Sequence, residues 1–455
     1  MKLRIDTFNG IQPRLHPSLL ANGMATRAHN CRLKNGKLVP LKTPARSEHN
    51  IIYGDASSQI SGAHTIYLWH RRNGRKDFLA WSGIVRVAQS NLADDSRYRL
   101  FVSGETGVNG GEPAFFAANE RDDGYVVRPL IKAALARPSI SAVGDLDEDD
   151  VRYAVWYQTW VDAFGQESPV SYASEEVAYS DGQAIRIASV AAPTHAVKRR
   201  FYKSVAGSTE TSDGIRFVYE QDVQGGFFQM VEVSVKDEDC GEEIPEIEAP
   251  PSDLRDMQYV SGAFYAGWSP SMCRTVMLSD VNRPYSWPVG YRYDVRDDIV
   301  GIAPVQNSVY ALTKGYPSVL QGYAPESMTV TDLSSRQGCV SSRSIVVAEG
   351  SVFYASADGL CQINPSSSDP LQVRVVTDKY FTKEQWMALA PETCMCEVHD
   401  NAIFAWFSPV GGEPSAYIFD LMETACAITT HDVIAQAATY DCEEDKLFYV
   451  GNGEV

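Results

Sequence analysis

The sequence predicts an all-β chain, a β-propeller-like domain with an inserted immunoglobulin/fibronectin-type β-sandwich. Three observations carry this prediction. The 23 Tyr, 17 Phe and 8 Trp fall largely in short β-branched runs closed by Gly, Asn or Asp, the chemistry of strands and hairpins. A turn followed by an apolar-aromatic strand recurs through the C-terminal half at nearly even spacing. A middle stretch of about a hundred residues has the size and short-strand pattern of a sandwich.

Composition bounds the rest. At 455 residues, 44% hydrophobic and 22% charged, the chain is globular and long enough for several domains of roughly 100–200 residues each. The 58 acidic against 40 basic residues give a net charge of −18, which argues against a protein that grips DNA or an anionic membrane. Met1 to Asp6 alternate charged and apolar residues, unlike a secretory leader. No run approaches the ~18 consecutive apolar residues of a membrane span. Nine cysteines spread thinly over the chain suit a reducing compartment better than a disulfide framework. The expectation is a soluble chain made in a cytosol, with no membrane insertion.

Residues 1–50 are rich in Gly and Pro and too poor in apolar side chains to fold alone, so they read as a docking segment. Within them, 22–28 reads as one or two capped helical turns. Residues 51–137 read as a first propeller part. There, 65–69 and 77–81 flank Asn73-Gly74, a strong hairpin dipeptide, and 99–102 reads as a third strand.

Residues 138–245 read as the sandwich. The run 151–161 carries Val, Tyr, Val, Tyr, Thr and Val on its odd positions, the period of two of a long strand. Shorter strands are expected at 184–187, 200–203, 217–220 and 230–233. The acidic stretch 144–150 lies near the entry, and the Glu/Pro-rich 242–251 forms the exit linker.

Residues 252–455 read as the remaining blades. The turns before their aromatic strands fall at 262, 307, 350, 401 and 445, spaced by 45, 43, 51 and 44. Periods of about 40–50 residues with several strands each mark propeller blades. Thr382 and Gln385 form a capping box that opens a helix, and Pro391 ends it. The run 447–455 is a strand, a turn and two residues of a next strand, from which the sequence reading expects either a closing strand from elsewhere in the chain or, in preference, a chain that continues beyond Val455.

The chemical motifs are sparse. There is neither a dinucleotide nor a P-loop glycine pattern, and the Gly-rich 107–111 is followed by no helix start. Residues 145–156 resemble a calcium loop but carry Asp150 where Gly belongs and Trp156 where Glu belongs. Cys394, Cys396 and His399 lack a fourth ligand and the usual thiol spacing, and read as core residues. Ser356-Ala357-Asp358-Gly359 approximates one sialidase-type turn without its Trp, and no Ser lies in a nucleophile elbow. The basic clusters 71–76 and 198–200 read as solvated faces or intersubunit contacts. The chain is expected to be no enzyme, with no catalytic residue, cofactor or metal.

One resemblance runs through most of the chain. Its residues are Phe8-Asn9-Gly10-Ile11-Gln12-Pro13, then Asn30-Cys31-Arg32-Leu33 and Gly36-Lys37-Leu38-Val39-Pro40. Gly165-Gln166-Glu167-Ser168-Pro169, the 282–288 run Asn-Arg-Pro-Tyr-Ser-Trp-Pro, and Pro325-Glu326-Ser327-Met328 follow, with 339–344 and 354–360 completing the order. The chain resembles bacteriophage virion structural proteins, similar to the tail nozzle (tail tubular B-type) proteins of short-tailed phages. The resemblance implies a virion tail component assembled in the bacterial cytoplasm. It would be a ring, six-fold in nozzles, that extends and gates the DNA-ejection channel beneath the portal and adaptor. Partners would be further copies, the adaptor or a portal-proximal ring, tail fibres or spikes, and passing genomic DNA without sequence-specific binding. The assembly segment would hold Phe8, Gly10, Pro13, Asn30, Cys31, Leu33, Gly36 and Pro40. A tail adaptor or fibre-attachment protein, and a glycan-binding or glycan-cleaving propeller, are the alternatives.

Overall fold

The computed structural model describes residues 8–34, 37–55, 59–71, 74–90, 95, 97–104, 112–118, 125–130, 136–205, 214–366, 371–421 and 426–455. Gly36, Asn73 and the 107–111 loop lie outside them. Nearly all regular structure is strand; the α-helix among the described residues is Lys383–Ala388. It starts as predicted. Thr382 accepts from the Gln385 backbone N–H while the Gln385 side chain accepts from the Thr382 N–H, which satisfies two otherwise unpaired donors at the helix start. The 22–28 stretch is not helical. Gly23 sits at a φ of +87°, and the Ala25 N–H donates to the Gly10 carbonyl instead.

The chain forms two compact units, one of Met1–Pro129, Pro251–Asn282 and Tyr291–Val455, the other of Leu130–Pro250 with Arg283–Gly290. The second unit therefore takes in Arg283–Gly290, which the sequence reading placed among the blades.

The first unit is a propeller. Among the described residues, and apart from the two-stranded hairpin at 31–40, five of its sheets are four-stranded and follow chain order, one is three-stranded and one two-stranded. We number these seven blades along the chain: 1 (50–81), 2 (85–129), 3 (255–294), 4 (299–332), 5 (346–375), 6 (395–430) and 7 (437–450). Each packs face to face on the next. Trp69 and Trp81 of blade 1 meet Leu100, Val102 and Phe116 of blade 2. Phe101 of blade 2 meets Tyr265 of blade 3 at 5.5 Å. Apolar layers continue from blade 3 to 4, 4 to 5, 5 to 6 and 6 to 7. Ala437 and Val450 of blade 7 then pack on Ile66 and Ala80 of blade 1, closing the circle.

The recurrent turns join the first and second strands of blades 3 to 7. Their residues adopt left-handed backbone: Ala263 (φ 70°), Gln306 (54°), Glu349 (48°), Asp400 (50°), Asn401 (56°) and Asp445 (49°). Turns of this hand match the natural twist of paired strands. Thr65–His70 pairs antiparallel with Lys76–Trp81, as the hairpin dipeptide between them predicts, and Gly74 sits at a φ of +78°. Leu100–Gly104 is not the third strand of that sheet. It pairs with Val85–Gln89 and Ala114–Ala118 in blade 2, and the third place in blade 1 goes to Asn50–Tyr53, parallel to Lys76–Trp81.

The second unit is the sandwich. Its long predicted strand is broken at Val155 into Arg152–Ala154 and Trp156–Asp162. Its even residues Ala154, Trp156, Gln158 and Trp160 are buried; on the odd side Thr159 and Val161 are buried too, while Val151 and Tyr153 are exposed. The two Trp rings carry the largest apolar area. Ser168, Ser171 and Ser174 run alongside this strand. Each donates its N–H to a strand carbonyl and accepts a strand N–H on its hydroxyl, at Trp160, Gln158 and Trp156.

Candidate functional site

Two places in the propeller unit stand out: the N-terminal segment and the centre of the propeller. The segment's partners lie in its own chain. Gly10 bridges Ile428 in the outermost strand of blade 6, and the Ile11 N–H donates to the Ile428 carbonyl at 2.8 Å. A side chain at Gly10 would meet that carbonyl at 2.4 Å, so only glycine fits. Pro13 accepts from Gln385 Nε2. Asn30 donates to Asp432 Oδ2 at 2.7 Å and accepts from the Asp432 N–H. Cys31–Lys34 and Lys37–Pro40 form a hairpin in which Cys31 faces Pro40. Leu33 is buried and its N–H donates to Asp420 Oδ2 at 3.0 Å, whereas Pro40 is exposed and Phe8 half-buried.

The sequence reading passed over Arg32, which the structure makes the anchor. Its guanidinium holds Asp420 Oδ1 at 2.6 and 2.8 Å, both partners being buried, and donates to the Asp400 carbonyl at 2.9 Å. It lies over the Phe404 ring. The segment thus covers the open edge of blade 6, which would otherwise offer unpaired backbone groups.

The basic clusters are engaged inside their own units. Arg71 pairs with the fully buried Asp77 at 2.9 Å, and Lys76 with Glu444 at 2.9 Å. Arg199 is buried against Gln158 and the Phe201 ring, and Arg200 spans Glu167 and Glu220. Among the described residues of the two clusters, Arg71 and Arg199 are buried and not solvated, whereas Arg75, Lys76, Lys198 and Arg200 stay partly exposed. Cys394 and Cys396 lie 3.6 Å apart as buried free thiols, and burial pushes the Cys394 thiol well up. His399 is elsewhere, against Asp445 and Tyr440.

At the propeller's centre the inner strands enclose a cavity of ≈290 Å³. Ile84, Val85, Ile302, Ile345 and Val346 supply apolar walls, and His64, Arg86, Asp256, Arg343 and Glu397 the charged or titratable groups. Arg86 Nε lies 3.4 Å from Asp256 Oδ1, while Asp256 Oδ2 accepts from Trp268 Nε1 at 3.2 Å and the Ile302 N–H at 3.3 Å. Arg343 Nη2 is directed at the carbonyls of His64 and Gln436 and at Met395 Sδ. Burial pushes the Glu397 carboxyl up to about 7, opposed by the Arg86 charge. None of these residues was singled out from sequence, although a carboxylate between Cys396 and Val398 in an apolar strand is a readable sign.

No family model and no curated protein matches the chain. Among solved structures it is similar to Kluyvelomyces marxianus Hsv2, at 8% identity over 59% of this chain and 69% of that one, TM-score 0.30. It is also similar to BBS1N from its complex with ARL6DN, at 9% identity over 81% and 88%, TM-score 0.31. The propeller assignment rests on the seven packed blades.

Proposed function

We propose that the chain is a structural subunit of a short-tailed phage tail, a nozzle-type ring of about six copies that extends and gates the DNA-ejection channel. The observation that carries this reading is the ordered set of motifs, because those within the described residues sit at the joints of the scaffold. Glu167 accepts from Thr159, Arg200 and Tyr202 at the centre of the sandwich. Trp287 is buried, with its indole N–H on the Pro284 carbonyl and its backbone N–H on Glu248. The Pro325 carbonyl takes the Tyr293 hydroxyl, and Ser341 ties to the Cys394 carbonyl. Trp386 donates to the Ser356 carbonyl at the 356–359 turn.

A ring subunit needs stiffness and controlled strand edges, and a closed propeller with a strapped outer edge supplies both. A net charge of −18 per copy favours a wall past which DNA slides. Negative-stain imaging of the purified full chain tests the reading. Closed rings with an axial hole are expected; monomers at every concentration tried would count against it.

A further inference from the structure

We propose that the central cavity of the propeller binds a small monocarboxylic acid with an apolar body, its carboxylate held between Arg343 and Glu397. This reading is independent of the assembly proposed above. It begins from a charge imbalance. Of the charged groups facing the cavity, Arg86 pairs with Asp256 and also acts on Glu397, and His64 Nδ1 is taken by the Ser82 carbonyl at 2.5 Å. Arg343 is left. Its Nη2 meets only neutral acceptors, and no carboxylate lies within ion-pair distance of it among the described residues. Its Nε and Nη1 make no hydrogen bond to the described residues.

Burial disfavours the Arg343 cation, and a desolvated cation lacking a counter-ion is stabilised by an incoming anion. Glu397 sets the class of that anion. One of its oxygens accepts the Val398 N–H at 3.0 Å. With its carboxyl pushed up to about 7, the acid form donates a hydrogen bond to a carboxylate, whereas the ionised form repels it. The aliphatic side chains Ile84, Val85, Ile302, Ile345 and Val346 take a small apolar body beside the polar Thr65, Gln258 and Ser342 that also line the cavity, in a volume near the lower end for small-molecule sites.

The probe is benzoate, which is ionised throughout pH 6–8, titrated into the full chain by calorimetry or ligand-observed NMR. Saturable binding about tenfold tighter at pH 6 than at pH 8 is expected, the ratio set by protonation of one group near pH 7. Glu397→Gln should bind at pH 8 as the parent does at pH 6. Arg343→Met should lose binding about tenfold or more, with benzyl alcohol bound poorly by all forms. Absence of saturable binding at pH 6, or benzyl alcohol binding as well as benzoate, would overturn the proposal. If Arg343→Met does not fold, the Glu397→Gln pH profile decides alone: a profile as steep as the parent's overturns it.

Discussion

Arg32 and His431 show how single side chains hold blade 6. Asp420 is buried, and its two oxygens are taken by the Arg32 guanidinium and the Leu33 N–H. Removing Arg32 strands a carboxylate away from water, which typically costs about 3–5 kcal/mol. Arg32→Ala should lower the denaturant midpoint accordingly, and Asp420→Asn combined with it should recover part of the loss. His431 works through its neutral form. It is buried against Phe404 and Trp406, neither ring nitrogen has a partner among the described residues, and burial lowers its pKa to about 4. The unfolded chain then binds a proton that the folded chain refuses, so stability from this site is present above pH ~6.5 and is lost as pH falls toward 4. His431→Phe should reduce the acid-side loss of thermal stability between those values. A pH profile identical to the parent's would contradict it.

At the scale of elements, the N-terminal segment is stitched on through backbone bonds. Gly10→Ala forces a Cβ against the Ile428 carbonyl at a φ of +82°, a strain of about 1–3 kcal/mol. Limited proteolysis should then cut between residues 12 and 29 sooner than in the parent, with the propeller core still protected. What was legible in the sequence at this scale follows from range. The capping box needs only Thr382 and Gln385, three residues apart, and the blade period shows because left-handed turns such as Asp400-Asn401 select their own residue types. Phase and pairing were not legible. Trp156 and Trp160 are buried by partners far along the chain, which bury Thr159 and Val161 on the other face as well, and 100–104 joins blade 2 because the unremarked strand Val85–Gln89 pairs with it. The segment's partner strand lies some four hundred residues away (Gly10 to Ile428), so sequence could mark it as unable to fold alone but could not say where it goes. The central cavity was hidden for the same reason, since its charged groups come from blades 1, 2, 3 and 6 and from the turn before blade 5.

For the whole molecule, the chain folds as a sandwich unit inserted in sequence within a propeller unit, the latter closed by apolar contacts between blades 7 and 1. Self-assembly is the property that separates a tail ring from a binding or catalytic propeller acting alone. Native mass spectrometry of the full chain measures it most directly. With a chain mass of 50.2 kDa, a dominant species of about six chain masses, resistant to dilution, is the predicted result. A single species at one chain mass across the concentration range would contradict the account.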